Sequence, residues 1–262
     1  MNNPRFFKLS KAARFVWVVI LVLWPSLSSA QAPFIVRTPN GGAPSPGGVY
    51  STEPWSSSRG PGPQSSRYQQ VYSASEFAEL GGSPGSILRF GIPSDQQFGR
   101  GTSLYLDLEI LFGVTPRDPD GLSTTFAENV GSGLTMVHSR GVFLWGHPGG
   151  GAIGVFELET PFLYDPTQGN LLMEIRAYSV VNEDRFSTGF GNYEAWNVQG
   201  DAVSRVYAHD VNATTGTADT MGLTTYFGVT PVPEPSTYAL VGLALGAWWW
   251  RHRRRQSKPT HS

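Results

Sequence analysis

The sequence predicts an all-β body, an antiparallel β-sandwich of jelly-roll type, on three observations. The first is composition: 31 glycines and 20 prolines in 262 residues, with 13% aromatic and only 15% charged residues, favour strands and turns over helices. The second is alternation. From Ser103 to Phe112, Leu104, Leu106, Leu108, Ile110 and Phe112 fall on one face of a strand, and Tyr105, Asp107 and Glu109 fall on the other. At helical spacing the same leucines would scatter around the axis. The third is punctuation, because turn signals such as Asp118-Pro119-Asp120-Gly121 and Asp165-Pro166-Thr167-Gln168-Gly169 cut the chain into short pieces.

The elements follow in chain order. Residues 1–30 have the layout of a secretory signal peptide. Arg5, Lys8, Lys11 and Arg14 precede ten apolar residues, Phe15 to Trp24, and small residues end at Ser28-Ser29-Ala30. Signal peptidase needs small side chains at the minus three and minus one positions. Ser28 and Ala30 supply them, which places the cut after Ala30. Ten apolar residues fall short of the ~20 that span a bilayer as an anchor. Residues 31–66 are rich in Pro, Gly and Ser and read as a flexible or partly extended lead-in.

Residues 67–230 hold the strands. Besides 103–112, the candidates are Tyr68–Tyr72, Ser86–Phe90, Leu134–His138, Val142–Trp145, Ile153–Leu158, Leu171–Tyr178, Val203–Tyr207 and Leu223–Val229. The one long gap without a good strand is Val180 to Asp201. Nine short strands, with no convincing helix of ten residues among them, point to two antiparallel sheets packed together.

Charge and cysteine content exclude whole classes of function. The chain has no cysteine, so disulfides, thiolate metal sites and a cysteine nucleophile are ruled out. Residues 31–232 hold 10 Arg, no Lys and 19 Asp plus Glu, a net charge of −9. Such a body repels phosphate backbones, and nucleic acid is not an expected partner.

Residues 231–262 form a tail of three physically different parts. Pro233-Glu234-Pro235 holds an extended backbone, because proline fixes its own φ and biases the residue before it away from the helix. Residues 236–250 are apolar and end in Trp248-Trp249-Trp250; 15 residues make roughly 22 Å of helix against ~30 Å of hydrocarbon. Arg251, Arg253, Arg254 and Arg255 follow, with stems long enough to snorkel and a sign that holds them in the cytoplasm. A single transmembrane helix through the inner membrane is the expectation, with the body outside.

This order of parts resembles the PEP-CTERM sorting domain of bacteria that make extracellular polysaccharide. The resemblance implies that exosortase, an integral-membrane enzyme, recognises Pro233, Glu234 and Pro235 and processes the tail, with Arg251, Arg253, Arg254 and Arg255 as the cytoplasmic stop. An ordinary tail anchor is the plainer alternative. Residues 160–175 also resemble a segment of exported β-sandwich proteins that bear this tail, a likeness that brings no activity with it.

No catalytic constellation emerges. Gly81-Gly82-Ser83-Pro84-Gly85 fits the nucleophile-elbow pattern, but Pro84 lacks the N–H that would hold an oxyanion, and a strand follows it rather than a helix. His147-Pro148-Gly149-Gly150-Gly151 is an oxyanion-type loop broken by proline and placed after the serine, the reverse of the usual order. His138, His147 and His209 lack metal-ligand spacing, and Asp118, Asp120 and Gly121 lack the outer ligands of a calcium loop, so a β-turn explains them better. Asp107, Glu109, Glu157, Glu159 and Glu174 alternate with apolar residues, which reads as a solvated face rather than a pair for glycoside hydrolysis. Trp55, Trp145, Tyr193 and Trp196 are the aromatics available to stack on sugars. Asn212-Ala213-Thr214 matches a glycosylation sequon, which alone says little in a bacterial chain.

The expectation is a non-enzymatic protein of the cell envelope or extracellular matrix, without cofactor or metal. Its partners are the secretory translocon, signal peptidase, exosortase and the inner membrane. A glycan-binding module for extracellular polysaccharide is the alternative, and a carbohydrate-active enzyme a distant third.

Overall fold

The computed structural model describes residues 32–40, 49–55, 64–93, 103–146, 153–182, 193–232 and 237–256. Ala32–Pro231 form one compact unit, and the carboxy-terminal helix belongs to another. Ser28 and Ala30 lie outside the described residues, as do Pro233, Glu234 and Pro235.

The compact unit is built from strands, numbered here in chain order, whose pairings are all antiparallel. One sheet has the order β1 (Phe34–Thr38), β13 (Thr225–Pro231), β4 (Gly85–Pro93), β7 (Ile153–Tyr164). A second has the order β11 (Thr217–Asp219), β10 (Val203–Ala208), β3 (Gln64–Tyr72), β8 (Asn170–Asn182), β5 (Ser103–Thr115), β6 (Leu134–Gly146). A third, smaller sheet joins β12 (Met221–Leu223), β9 (Tyr193–Asn197) and β2 (Val49–Ser51). The body is therefore all-β, with three sheets where the alternation suggested two.

The alternation itself is what fills the core. Leu106, Leu108, Ile110 and Phe112 of β5 and Leu171, Met173, Ile175 and Ala177 of β8 are all fully buried. Phe112 meets Phe90, Phe162 and Phe227 of the four-stranded sheet at ring-centroid distances of 5.8, 5.7 and 6.2 Å, and Tyr72 of β3 meets Phe227 at 5.0 Å. The two larger sheets thus share one aromatic core. Burying each such side chain stabilises the fold by about 1.5–3 kcal/mol before the entropy of ordering is counted.

Three expectations change. The stretch 31–66 is not merely a lead-in: it contributes β1, β2 and the start of β3, and Trp55 is 2% exposed, packed edge-on against Phe156 and Tyr193 at 6.0 Å each. The gap from Val180 to Asp201 contains the end of β8 and all of β9, which turns Tyr193 and Ala195 into the core. Leu134–His138 and Val142–Trp145 belong to one strand, β6, whose pairing with β5 shifts register near Ile110. Pieces of three to five residues between Gly- and Pro-rich turns carry too few alternations to be recognised by period alone.

The small sheet is fastened by a side chain. Gln70 of β3 donates from Nε2 to the Leu223 carbonyl at 2.9 Å and accepts from the Leu223 N–H at 2.8 Å, doing what a neighbouring strand's backbone would do. Gly222 permits the approach, since a Cβ there would sit 2.5 Å from Val203 Cγ2.

Candidate functional site

The tail begins where the body ends. β13 closes at Pro231, and four residues, 233–236, lie between Val232 and helix α1 (Thr237–Gln256). No acidic residue occupies its first turn, and Arg251 and Arg253 lie near its end, where cations complement the helix dipole. Its apolar side chains face outward: Leu243 is 71% exposed, Leu245 61% and Trp248 65%. Arg253 lies over the Trp249 ring at 5.1 Å, and Trp248 meets His252 at 5.5 Å, both contacts one helical turn apart. Fourteen residues, Thr237 to Trp250, precede the first arginine, about 21 Å of helix. Among the described residues no helix is long and apolar enough to cross a membrane.

In the body, Ser83 lies in the turn between a short 3-10 segment, Ala74–Leu80, and β4, donating its N–H to the Leu80 carbonyl at 3.0 Å. Gly81 and Gly82 have φ of 61° and 82°, left-handed values that glycine adopts without strain. Residues 147–151 lie outside the described residues. Asp118 and Gly121 close a turn at 2.9 Å, and the Asp120 carboxylate accepts the Gly200 N–H at 2.7 Å. Among the described residues no three His, Asp or Glu side chains are gathered to hold a metal.

The acids behave differently from a uniformly solvated face. Glu157 and Glu159 are exposed, and Asp107 is held in a forked pair with Arg140, whose hydrogen bonds keep its pKa below the usual carboxylate range. Glu174, by contrast, is fully buried, and Glu109 is 7% exposed. Glu174 Oε1 accepts from Arg67 at 3.0 Å and from Arg176, while Oε2 accepts from Gln69. Arg176 also reaches Glu109 at 3.0 Å. Burial works against the charge on Arg176, yet the Glu174 and Glu109 carboxylates outweigh it and raise its pKa.

A covering loop explains the burial. Phe126 and Asn129, both fully buried, lie in the 3-10 turn Phe126–Asn129 between β5 and β6. The Phe126 carbonyl accepts from Gln69, Asn129 Nδ2 donates to Gln69 Oε1 at 3.0 Å, and Arg67 stacks over the Phe126 ring at 4.5 Å. Arg67, Gln69, Asn129 and Arg176 are the residues that sequence reasoning missed. The strand positions of Arg67, Gln69 and Arg176 alternate polar and apolar as on any solvated face, and Asn129 sits in a short turn with no periodic signal.

The aromatics divide as well. Trp55 and Tyr193 are 2% exposed and belong to the core, so neither offers a face to a sugar. Trp196 is half-buried, and the Trp145 side chain lies outside the described residues. His138 is nine-tenths buried, and burial lowers its pKa against the pull of Glu159, 3.4 Å away. His209 lies 3.7 Å from Glu53.

No curated protein and no solved structure matches the chain. Residues 231–255 match the family described as the PEP-CTERM protein-sorting motif, a span that includes Pro233, Glu234, Pro235, Arg251, Arg253, Arg254 and Arg255. The match implies a tail that anchors in a membrane until it is processed. The chain accordingly carries a PEP-CTERM sorting tail, which supports an exported protein that exosortase processes.

Proposed function

We propose that the chain is a non-enzymatic building or interaction protein of the cell envelope or extracellular matrix. In this reading the signal peptide is cut after Ala30, and the body is a two-layer jelly-roll-like sandwich with the small sheet closing one side. Exosortase reads Pro233, Glu234 and Pro235 as the body waits outside the inner membrane, and processing then passes the body to the surface or matrix.

The observation that carries the reading is the tail match at residues 231–255, in which recognition strip, apolar helix and arginine stop follow one another. The helix stands short of a comfortable crossing, and snorkelling arginines together with interfacial tryptophans supply the remainder of the thickness. The non-enzymatic part draws support from the body's acids. Asp107, Glu109, Glu157, Glu159 and Glu174 are each tied to a cationic or hydroxyl partner within the fold. The burial of Trp55 and Tyr193 removes two of the four aromatics on which a glycan-binding reading rested.

Changing Pro233, Glu234 and Pro235 together to alanine tests the tail. The expected result in the producing organism is an uncut form retained in the membrane fraction. Processing that continues unchanged would refute the recognition role.

A further inference from the structure

The loop between β10 and β11 carries Asp210-Val211-Asn212-Ala213-Thr214. It forms a surface turn: the Ala213 N–H donates to the Asp210 carbonyl at 3.1 Å, and the Asn212 N–H donates to Asp210 Oδ1 at 2.9 Å. Asp210, Asn212 and Thr214 are all exposed. Among the described residues neither the Asn212 carboxamide nor the Thr214 hydroxyl enters a hydrogen bond, so both polar groups of the sequon stand open to solvent.

The backbone of the same loop is tied down. The Thr214 carbonyl accepts from the Phe126 N–H at 3.1 Å, the Ala213 carbonyl accepts from Arg67 Nη1 at 3.0 Å, and the Gly216 N–H donates to the Thr124 carbonyl at 2.8 Å. Side chains that are free on a backbone that is fixed are not needed for the packing of the loop. An asparagine with a hydroxyl residue two positions on, in a surface loop of an exported protein, is the acceptor pattern for N-linked sugar. Asp210 adds an exposed carboxylate two positions before the asparagine, a charge that a cationic acceptor groove could hold.

We propose that Asn212 is an N-glycosylation site, modified outside the cytoplasm with an oligosaccharide delivered on a lipid pyrophosphate. The inference rests on the exported reading above. In the transfer, Asn212 Nδ2 forms a bond to the anomeric carbon, the bond from that carbon to the pyrophosphate oxygen breaks, and the lipid pyrophosphate leaves with the electron pair. Nδ2 gives up one proton to a base of the transferring enzyme. The tied carbonyls set the timing. An enzyme that binds the sequon in an extended cleft meets it before the loop closes over Phe126, during or just after export. Once the loop has closed, the sugar projects from an exposed turn and leaves the Arg67, Phe126 and Thr124 contacts of the loop backbone in place.

The test uses the full chain made in its own organism, with the intact mass, the mass of the peptide containing Asn212 and the amino-terminal residue read from one preparation. The expected result is added sugar mass on that peptide. It should vanish in Asn212→Gln and Thr214→Val and persist in Thr214→Ser. Asp210→Asn separates charge from turn, because asparagine still accepts the Asn212 N–H; loss of sugar in that variant is expected. Phe126→Ala, which loosens the loop, should raise occupancy wherever the unaltered protein is only partly modified. An unmodified peptide in protein whose amino terminus shows removal of residues 1–30 overturns the glycosylation and leaves export standing. Sugar that survives Asn212→Gln overturns it equally. Protein found uncut in the cytosol overturns both readings.

Discussion

The body and the tail solve opposite solvation problems with the same few residue types. In the body, Arg67 and Arg176 are partly covered and reach a fully buried Glu174 that accepts from both, and the large aromatics are turned inward. In α1 the tryptophans and leucines face outward, and Arg253 is 5.1 Å from an exposed tryptophan ring rather than beside a carboxylate. An arginine in the body is a structural cation that needs its counter-charge. One in the tail, Arg253, has an aromatic ring for its neighbour and, under the proposed reading, marks the membrane boundary.

That contrast can be broken most severely at Glu174. Glu174→Ala removes the carboxylate from Arg67 beside the Phe126 ring and leaves Arg176 with Glu109 alone, and a loss of about 3–5 kcal/mol is expected for breaking such a buried network. Urea unfolding of residues 31–232 measures it; a loss near that of a surface pair would mean that water reaches Glu174 freely. Gln70→Ala comes next. It strands the N–H and carbonyl of Leu223, at a cost of about 1–3 kcal/mol, with hydrogen exchange accelerated in β9 and β12 first. Uniform acceleration across all three sheets would show that the clamp is not local.

Acid sharpens the comparison further, since the body alone carries a buried neutral histidine. The pKa of His138 is lowered by burial, so its contribution is fully present above the ordinary value of about 6.5 and is lost as pH falls through the lower folded value. Glu159, lowered by its bonds to Ser139, adds a further loss at more acidic pH. Unfolding midpoints followed from neutral to mildly acidic pH should fall for the parent and fall less for His138→Gln. Parallel curves would remove His138 from the account. The smallest effect is expected from Arg140→Ala. The Arg140–Asp107 pair has 53% and 22% side-chain exposure, and water screens so open a pair down to little net stability.

What could be read in advance follows from how far each signal reaches along the chain. The tail was legible because its chemistry is local: prolines, apolar helix and arginines act in the order in which they are written. β5 was legible because five alternations in ten residues outweigh chance, and the long strands β3, β4, β7 and β8 were found for the same reason. Glu174 was misread by that very rule. Alternation tells which side of a sheet a residue takes, and nothing in 170–178 announces that residues 126–129, some forty-five positions earlier, cover that side. Trp55 and β1 lay within a Pro- and Gly-rich stretch whose composition spoke for flexibility, while their burial depends on Phe156, Tyr193 and β13, all more than a hundred residues away.

One strand bears on how a tethered body meets force. β13 is bonded along its length to β1 on one flank and β4 on the other, and the tail leaves from its last residue. A load on the end of β13 is therefore shared by two ladders at once, where an edge strand would have only one. The strand from which the tail departs is accordingly held from both sides.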